Sequence, residues 1–379
     1  MKRLCKDIDI TDIGLIQRAA YECLQKKFYR DDTARYLAEV SGESPETIKA
    51  RIRAEGKASV YPTVDRACEL IRQSLLDETV TLPPIWYREK IDGSSGKIRT
   101  IGIQNAKQQI YDYIAVEGLK PLLRRVGEYQ CASIKGRGTL YGKNAIWRWT
   151  RDKRMRYFCK MDVRKCFESI DHGLLLDFIG RHVKNPKLMY LLRTLLASFR
   201  QGLDIGSYLS QHLCNLYMSI LYHYIMEELY KTRRGKRIRL VQHCLIYMDD
   251  ILILGTDRRN LKMATRQIVQ KAAEMGLEIK PGYQVCDIRQ TGIDMMGYKV
   301  RHDRCIIRGR IFLRARRAFL RARKRMTVKM AKKCVSYYGH LKHANSGRIM
   351  RRWKVRRTIK ICKEVVRNAG KICSTAAAG

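Results

Sequence analysis

Apolar residues recur three and four positions apart through the first eighty residues of the chain, which is the spacing of one face of a helix. The two clearest series are Ile16, Ala19, Ala20, Cys23 and Leu24, and then Ala67, Leu70, Ile71 and Leu75. Gly42 interrupts the pattern, and Pro45 favours the start of a new helix. The pattern predicts an N-terminal helical extension over residues 1–84.

Strand-like sequence follows this extension. Residues 86–103 predict two strands around a turn at residues 92–96, with the basic residues Lys97 and Arg99 just past its tip. Residues 104–125 predict a helix, and a basic, glycine-rich loop follows at residues 135–139. Residues 85–155 are therefore expected to form a region of mixed strands and helices.

The middle of the chain contains two apolar strands that carry acidic residues, with a helix-rich stretch at 172–230 between them. The first strand holds Asp162, and the second, over residues 244–254, is broken by Asp249 and Asp250. Asp is uncommon in strands, and an unpaired buried carboxylate is costly. The adjacent acids therefore predict a β-hairpin with Asp249 and Asp250 at its tight turn. An ordinary polar turn between two core strands is the alternative for this segment alone.

The charge of the chain is strongly positive. The 379 residues include 77 Lys and Arg against 36 Asp and Glu, a net charge of +41. Residues 301–379 alone hold 25 basic and two acidic residues, with Phe312, Leu313, Phe319 and Leu320 interleaved. This predicts basic helices with an apolar stripe over residues 301–373, and a flexible tail at 374–379. A polyanionic partner is expected, most often nucleic acid.

Composition excludes several classes of protein. With 45% hydrophobic residues the chain can bury a core, and it is neither collagen-like nor mucin-like nor a disulfide scaffold. Its 13 cysteines form no CxxC pair, which favours buried thiols in a reducing compartment over a zinc site. No apolar leader and no run of 18 apolar residues is present, so we expect no membrane partner and a cytoplasmic location.

The three acids favour enzymatic chemistry over passive binding. Carboxylates at the ends of two different strands can converge on one point, and their mutual repulsion needs cations to offset it. Mg²⁺ prefers oxygen ligands and is often shared with substrate phosphates. Two such ions, about 3.5–4 Å apart, can stabilise the attacking and leaving oxygens of a phosphoryl transfer. A very basic chain with such acids fits a nucleotidyltransferase better than a ribosomal or structural nucleic-acid-binding protein.

The ordered set of motifs over residues 85–345 resembles the reverse transcriptase family. The motifs are Lys97-x-Arg99, residues 135–139, Asp162 with Phe167, residues 201–211, Tyr247-Met248-Asp249-Asp250, residues 276–280 and residues 295–298. The resemblance implies an α+β, right-hand polymerase fold. Its parts would be fingers over residues 85–155, a palm with an antiparallel sheet over 156–300, and the basic helical thumb over 301–373. The implied activity is RNA-directed DNA polymerisation.

The resemblance also implies roles for individual residues. Asp162, Asp249 and Asp250 would hold two Mg²⁺ ions, for which Mn²⁺ could substitute, with help from the carbonyl of Val163. Lys280 would give a proton to the leaving pyrophosphate. The residues expected to bind the nucleotide are Lys97, Arg99, Phe167, Ile205, Gly206 and Gln211, with Phe167 as a steric gate against the ribose 2′-OH. The residues expected to bind template or primer are Arg137, Ser210, Tyr247, Met248, Lys342 and His343.

The nucleotide motif separates subtypes of the family. Residues 205–211 read Ile-Gly-x-x-x-Ser-Gln, where most reverse transcriptases read Gln-Gly-x-x-x-Ser-Pro. The pattern resembles diversity-generating retroelements, whose enzymes copy a template RNA with errors at adenines. It also resembles antiphage-defence enzymes, which commonly copy a dedicated noncoding RNA. Ile205 lacks a hydrogen bond that Gln could make, worth about 0.5–1.5 kcal/mol, so lower discrimination is expected.

The expected partners are a dedicated template RNA of a bacterium or phage, the cDNA or primer strand, and dNTPs. Residues 1–84 could bind that RNA or an accessory protein, or could only cap the fold. A non-catalytic RNA-binding protein on a polymerase scaffold is the rival of another class, and the presence of all three Asp weighs against it. An RNA-dependent RNA polymerase is a further alternative, against which Phe167 argues.

Overall fold

The computed structural model describes residues 4–91 and 96–375. The helices are α1 (Ile13–Leu24), α2 (Asp31–Ser41), α3 (Pro45–Glu55), α4 (Tyr61–Leu76), α5 (Ala106–Leu123), α6 (Thr139–Arg151), α7 (Cys166–Ser169), α8 (His172–His182), α9 (Pro186–Ala197), α10 (Tyr208–His223), α11 (Arg258–Glu274), α12 (Gly309–Lys324), α13 (Val328–Lys342), α14 (Gly347–Arg352) and α15 (Val355–Thr375). The strands are β1 (Trp86–Ile91), β2 (Ile98–Ile103), β3 (Gln130–Cys131), β4 (Tyr157–Asp162), β5 (Tyr230–Arg233), β6 (Lys236–Arg239), β7 (His243–Tyr247), β8 (Asp250–Gly255), β9 (Val285–Asp287), β10 (Ile293–Met295), β11 (Tyr298–Val300) and β12 (Cys305–Ile307).

The chain forms two compact units, each built from separate stretches of sequence. The first unit contains Met1–Ser133, Asp162–Tyr224 and Ile268–Lys280, and the second contains Ile134–Met161, Ile225–Gln267 and Pro281–Gly379. The subdomain boundaries expected from the sequence stay predictions.

Capping side chains begin two of the N-terminal helices, and α3 begins at Pro45 as predicted. The side chain of Asp12 accepts the backbone N–H of Leu15 at the start of α1, and Ser44 caps α3 directly before Pro45. All five residues of the first apolar series are buried in α1. The prediction for Leu70 is wrong, because its side chain is 55% exposed. The buried residues of α4 are Val64, Ala67, Cys68, Ile71 and Leu75, and Leu70 lies beside that stripe.

The hairpin and the helix predicted after this extension are both present. Strand β1 pairs antiparallel with β2 so that Trp86 lies opposite Ile103 and Ile91 opposite Ile98. Residues 92–95 of the predicted turn lie outside the described residues. Asn105 caps α5 by accepting the N–H of Gln108 at 2.9 Å.

Strands of the second unit form an antiparallel sheet that carries the central acids. The strands β7, β8, β4 and β9 lie side by side in that order. The sheet pairs β7 with β8 and β4 with β9, both antiparallel. A smaller antiparallel sheet contains β10, β11 and β12, and β5 with β6 forms a separate hairpin. These short strands were not predicted, because three or four residues give too little alternation to recognise.

The basic helices predicted at the C-terminal end are present as α12 to α15. Their core includes Phe319, Cys334, Leu341, Trp353 and Val355. Leu313 and Leu320 are exposed, so these two were wrongly assigned to the apolar stripe. The buried face of α12 passes through Ala315, Ala318, Phe319 and Ala322, which leaves both leucines to one side of it. Ser374 and Thr375 of the predicted tail end α15, and residues 376–379 lie outside the described part.

Two further sequence expectations concern cysteines and membranes. Among the side chains described over residues 4–91 and 96–369, none of the cysteines forms a disulfide, and all but Cys286 are buried. Over the described residues, none of the helices is both long and apolar enough to cross a membrane.

Candidate active site

The two central acids lie at the tip of a tight hairpin, as predicted. Tyr247 at the end of β7 lies opposite Asp250 at the start of β8, which leaves Met248 and Asp249 as a two-residue loop. Met248 has a φ of 55°, the positive value that such short hairpin loops require. The strands behind the loop are apolar, and their inner residues are completely buried. Burial fixes the register, so the acids can lie only at the edge of this core.

A lysine on the neighbouring strand contacts Asp250. The Nζ of Lys160 on β4 lies 2.9 Å from a carboxylate oxygen of Asp250 on β8, and both side chains are about one-third exposed or less. Because successive residues of a strand alternate in direction, Lys160 and Asp162 point to the same side of β4. Sequence reasoning missed this lysine, although its position two residues before Asp162 was the signal that could have identified it.

A second lysine contacts Asp162, and both residues were predicted from the sequence to belong to the active site. The Nζ of Lys280 forms an ion pair with the Asp162 carboxylate. The backbone N–H of Lys280 also donates to the carbonyl of Asp162 at 2.8 Å, and Arg164 N–H donates to Glu278 O at 2.7 Å. Val163 is buried and bridges to Ile279 between these bonds. The backbone pairing thus brings the motif at residues 276–280 to Asp162.

The carboxylates provide the right donors for magnesium, but they contact lysines here. Carboxylate oxygen is the ligand type that Mg²⁺ prefers. Among the described residues, however, there is no group of three or more His, Cys, Asp and Glu side chains arranged to hold a metal ion. Lys160 and Lys280 supply positive charge to Asp250 and Asp162 instead. A divalent cation would therefore compete with two ammonium groups for these oxygens.

The nucleotide motif and the predicted gate residue are packed together in the first unit. The N–H of Leu203 donates to the carbonyl of Phe167 at 2.8 Å. A Cβ on Gly202 would lie 2.5 Å from that same carbonyl oxygen, so this position accepts only glycine without a shift. Phe167 itself is half-buried. The structure therefore brings Phe167 next to the start of the motif.

Ile205 and Gly206 contact strand β2. The N–H of Gly102 donates to the carbonyl of Ile205 at 2.9 Å. Gly206 has a φ of 121°, and a Cβ there would lie 2.6 Å from the carbonyl oxygen of Gly102. A pocket of about 310 Å³ adjoins Ile205, and its lining contains two basic residues, Lys165 and Arg200, and two acidic residues, Glu168 and Asp204.

A buried acid that sequence reasoning missed fixes the end of this motif. Ser207 caps α10, and its hydroxyl donates to Asp112 at 2.7 Å. Asp112 is completely buried on α5, and burial raises its pKa to about 6. Ser210 in the first turn of α10 is also buried, whereas Gln211 is half-buried and accepts from the Ser133 hydroxyl at 2.5 Å. Of these two predicted binding residues, Gln211 is the one that solvent reaches.

The predicted basic residues of the fingers lie on exposed segments. Arg99 is on β2 opposite Lys90, and Lys97 directly precedes β2. Both side chains are exposed. In the second unit, Arg137 is half-buried in the glycine-rich loop, and the hydroxyl of Thr139 after it lies 3.3 Å from the Tyr247 hydroxyl. This contact ties the glycine-rich loop to the hairpin that carries the acids.

A buried lysine links α6 to the predicted primer-binding residues at the end of α13. The Nζ of Lys143 donates to the carbonyl of His343 at 3.2 Å and lies 5.9 Å from the centre of the Tyr298 ring. Burial lowers the pKa of His343, and the charges of Lys143 and Lys342 lower it further. His343 is therefore neutral near pH 7, while the neighbouring Lys342 is exposed.

One comparison with known proteins gives a match. The sequence model of the family described as reverse transcriptase (RNA-dependent DNA polymerase) matches residues 89–300, more than half of the chain. The matched region contains both acidic strands and the nucleotide motif. A comparison with curated proteins gives no match.

Proposed function

This chain belongs to the reverse transcriptase family and is an RNA-directed DNA polymerase of the α+β, right-hand class, and we propose that it copies a dedicated bacterial or phage RNA into cDNA by two-metal-ion nucleotidyl transfer. The observation that carries the proposal is the β7–β8 hairpin, which places Asp249 in the loop and Asp250 at the strand start. The proposal implies a cytoplasmic enzyme.

In this proposal Asp162, Asp249 and Asp250 hold two Mg²⁺ ions, with Mn²⁺ as a substitute and the Val163 carbonyl as a further ligand. Bound ions would stabilise the attacking and leaving oxygens of the transfer. Lys280 donates a proton to the leaving pyrophosphate, a role supported by its ion pair with Asp162. When metal binds, Lys280 would be released from that carboxylate and become available to the pyrophosphate.

We assign nucleotide binding to Lys97, Arg99, Phe167, Ile205, Gly206 and Gln211. The proximity of Phe167 to Gly202 and of Ile205 to Gly102 supports a single nucleotide pocket within the first unit. The Phe167 ring would crowd a ribose 2′-OH and so select deoxynucleotides. Replacing Phe167 with Ala should admit ribonucleotides, and unchanged sugar selectivity would remove this role.

We assign template and primer contacts to exposed or half-buried residues of the second unit, together with two residues of α10. These are Arg137, Tyr247, Met248, Lys342 and His343, with Ser210 and Gln211 on α10. Because Ser210 is buried, its contribution would be to shape the backbone that faces the template. An accessory protein, bound by residues 1–84, would be an additional partner.

The diversity-generating and antiphage-defence subtypes differ in the fidelity of copying, and Ile205 is the residue that we expect to affect fidelity. An error-prone, diversity-generating enzyme is the first candidate, since Ile205 lacks the polar group that could order the base pair. An antiphage-defence enzyme that copies a noncoding RNA is the second. Both would use the same chemistry and the same pocket.

Primer extension on RNA with Mg²⁺ and four dNTPs, followed by sequencing of the products, tests the proposal and separates the subtypes. Errors concentrated opposite template adenines would favour the diversity-generating role, and their reduction by Ile205→Gln would assign them to this residue. Faithful or repetitive cDNA would favour the defence role. If no metal, RNA or primer yields DNA, the proposed function is wrong.

A further inference from the structure

The β5–β6 hairpin of the second unit is strongly basic. Between Leu229 and Met248 the sequence contains six Lys and Arg and no acidic residue. The loop residues Arg234 and Gly235 both have positive φ, as a type I′ turn requires. The hairpin is therefore a regular, tightly turned element with basic side chains along both strands.

Like charges lie opposite one another on the two strands of this hairpin. Arg233 lies directly opposite Lys236 in the register, and both are exposed. Like charges at opposed positions destabilise a strand pair. The protein keeps this unfavourable pair at the tip of the hairpin, where an external anion could neutralise it.

A second basic element is held beside the hairpin. The Nζ of Lys231 donates to the side chain of Asn260 in α11 at 2.6 Å. Arg258 and Arg259, the first two residues of α11, are exposed. The preceding residue, Asp257, caps α11 by accepting the N–H of Asn260 at 2.7 Å. We call Arg233, Arg234, Lys236, Arg239, Arg258 and Arg259 the hairpin patch.

The hairpin offers charge without a surface for stacking bases. Its aromatic residue, Tyr230, is covered by the guanidinium of Arg237, which lies 3.8 Å from the ring centre. Proteins that bind single strands combine basic grooves with aromatic side chains on which bases stack. Duplex RNA is instead recognised by its shape, its phosphates and its 2′-hydroxyls. The patch therefore fits duplex RNA better than a single strand.

We propose that the hairpin patch binds the phosphate backbone of duplex RNA in the template molecule, away from the primer terminus. The surface is additional to the basic helices α12–α15 and takes no part in nucleotide transfer. It would let the enzyme hold a structured RNA while the active site copies another part of it. The inference rests on the proposed function only in that the template is RNA.

The test compares two variants that each remove three positive charges. The patch variant is Arg233→Gln, Arg234→Asn and Lys236→Gln, and Asn before Gly235 suits the type I′ turn. The control variant is Arg53→Gln, Lys57→Gln and Arg66→Gln, three exposed residues of the first unit. Affinity for an RNA hairpin of about 16 base pairs and for a single-stranded RNA of matched length is measured from about 50 to about 200 mM salt.

We expect the patch variant to bind the RNA hairpin about tenfold or more weakly at low salt. The slope of log K against log salt should become shallower by about 2 to 3, since each lost phosphate contact contributes about 0.9 on the duplex DNA scale. Single-stranded RNA binding should change less. A DNA duplex of the same sequence is the comparison. If it binds equally well, the patch recognises phosphate alone, and the proposed preference for duplex RNA is wrong.

Three results would overturn the proposal as a whole: an unchanged hairpin affinity and slope, an equal loss in the control variant, or an equal loss on single-stranded RNA. Primer extension on a short primer–template distinguishes failure of this inference from failure of the proposed function. The patch variant should extend it at the wild-type rate. If the wild-type protein itself fails to extend, the proposed function fails, whatever the binding data show.

Discussion

Two β-hairpins, β5–β6 and β7–β8, follow one another along the chain and share a two-residue loop with positive φ, yet they differ in burial and charge. In β7–β8 the strands are buried and apolar, and the loop carries Asp249 next to Asp250. In β5–β6 the strands are largely exposed and basic. The two-residue loop that begins at positive φ is therefore shared, and the chemistry is set by whether a core lies behind the strands.

The difference in burial determines how each hairpin can hold charged residues. A buried hairpin can hold acids only at its tip, where a counter-ion such as Lys160 or water can reach them. An exposed hairpin can hold like charges face to face, because water screens them. The first arrangement positions a few groups sharply, whereas the second provides a broad charged surface.

The largest expected effect comes from matched loop substitutions in the two hairpins. Asp249→Asn should lower polymerisation by at least about a thousandfold, since the proposed metal site would lose a ligand and bound metal is worth several kcal/mol in the transition state. Arg234→Asn, in the other loop, should leave the rate unchanged. Single-nucleotide incorporation measures both, and RNA affinity should survive in Asp249→Asn. A normal rate in that variant would remove the carboxylate's role.

A smaller effect concerns Asp112, an acid that is buried in a helix instead of lying at a hairpin tip. The unfolded chain loses this proton near pH 4, but the buried carboxyl holds it until about pH 6. The folded state thus binds more protons in this window, and the free energy of unfolding should fall as pH rises through it, by about 3 kcal/mol.

Asp112→Asn should remove that decline, so its stability relative to wild type should rise by about 3 kcal/mol between about pH 4 and pH 7. Denaturant unfolding at several pH values measures the difference. Parallel pH profiles for the two proteins would show that Asp112 is not the group that holds the proton.

Strain in the two loops gives a third, smaller effect. A β-branched residue tolerates positive φ poorly, so Met248→Val and Arg234→Val should each lose about 1 kcal/mol of stability. Only Met248→Val should also slow polymerisation, because only that loop carries the acids. Equal stability of wild type and both variants would indicate that neither loop is held at positive φ.

The smallest expected effect concerns the lysine beside Asp250. A partly exposed ion pair is worth about 0.2–1 kcal/mol, so Lys160→Met should tighten Mn²⁺ binding about two- to fivefold by removing the competitor. Lys231→Met, which removes a contact to an amide rather than a carboxylate, is the control. Titration calorimetry in the absence of substrate measures both. Weaker binding in Lys160→Met would show that the lysine supports the metal site instead.

The sequence predicted the hairpin that carries Asp249 and Asp250 better than its basic neighbour, for a physical reason. Apolar strands interrupted by Asp249 and Asp250 can satisfy those carboxylates only at a turn, so pattern and chemistry agree. The β5–β6 hairpin has no buried face and hence no alternation to read. Asp112 was missed because a single acid in a helix usually indicates the solvent side, and only tertiary packing shows that Ser207 and α10 cover it. Leu70 was wrongly predicted to be buried, because α4 buries a neighbouring stripe of residues.

The proposed function requires Asp162, Asp249 and Asp250 to act as one metal centre, although the chain contributes them from two different strands. The most direct test measures single-nucleotide incorporation by Asp162→Asn, Asp250→Asn and the double variant. Groups that act as a unit lose activity non-additively. We predict that the double variant is about as inactive as either single variant. Losses that multiply in the double variant would contradict a shared metal centre.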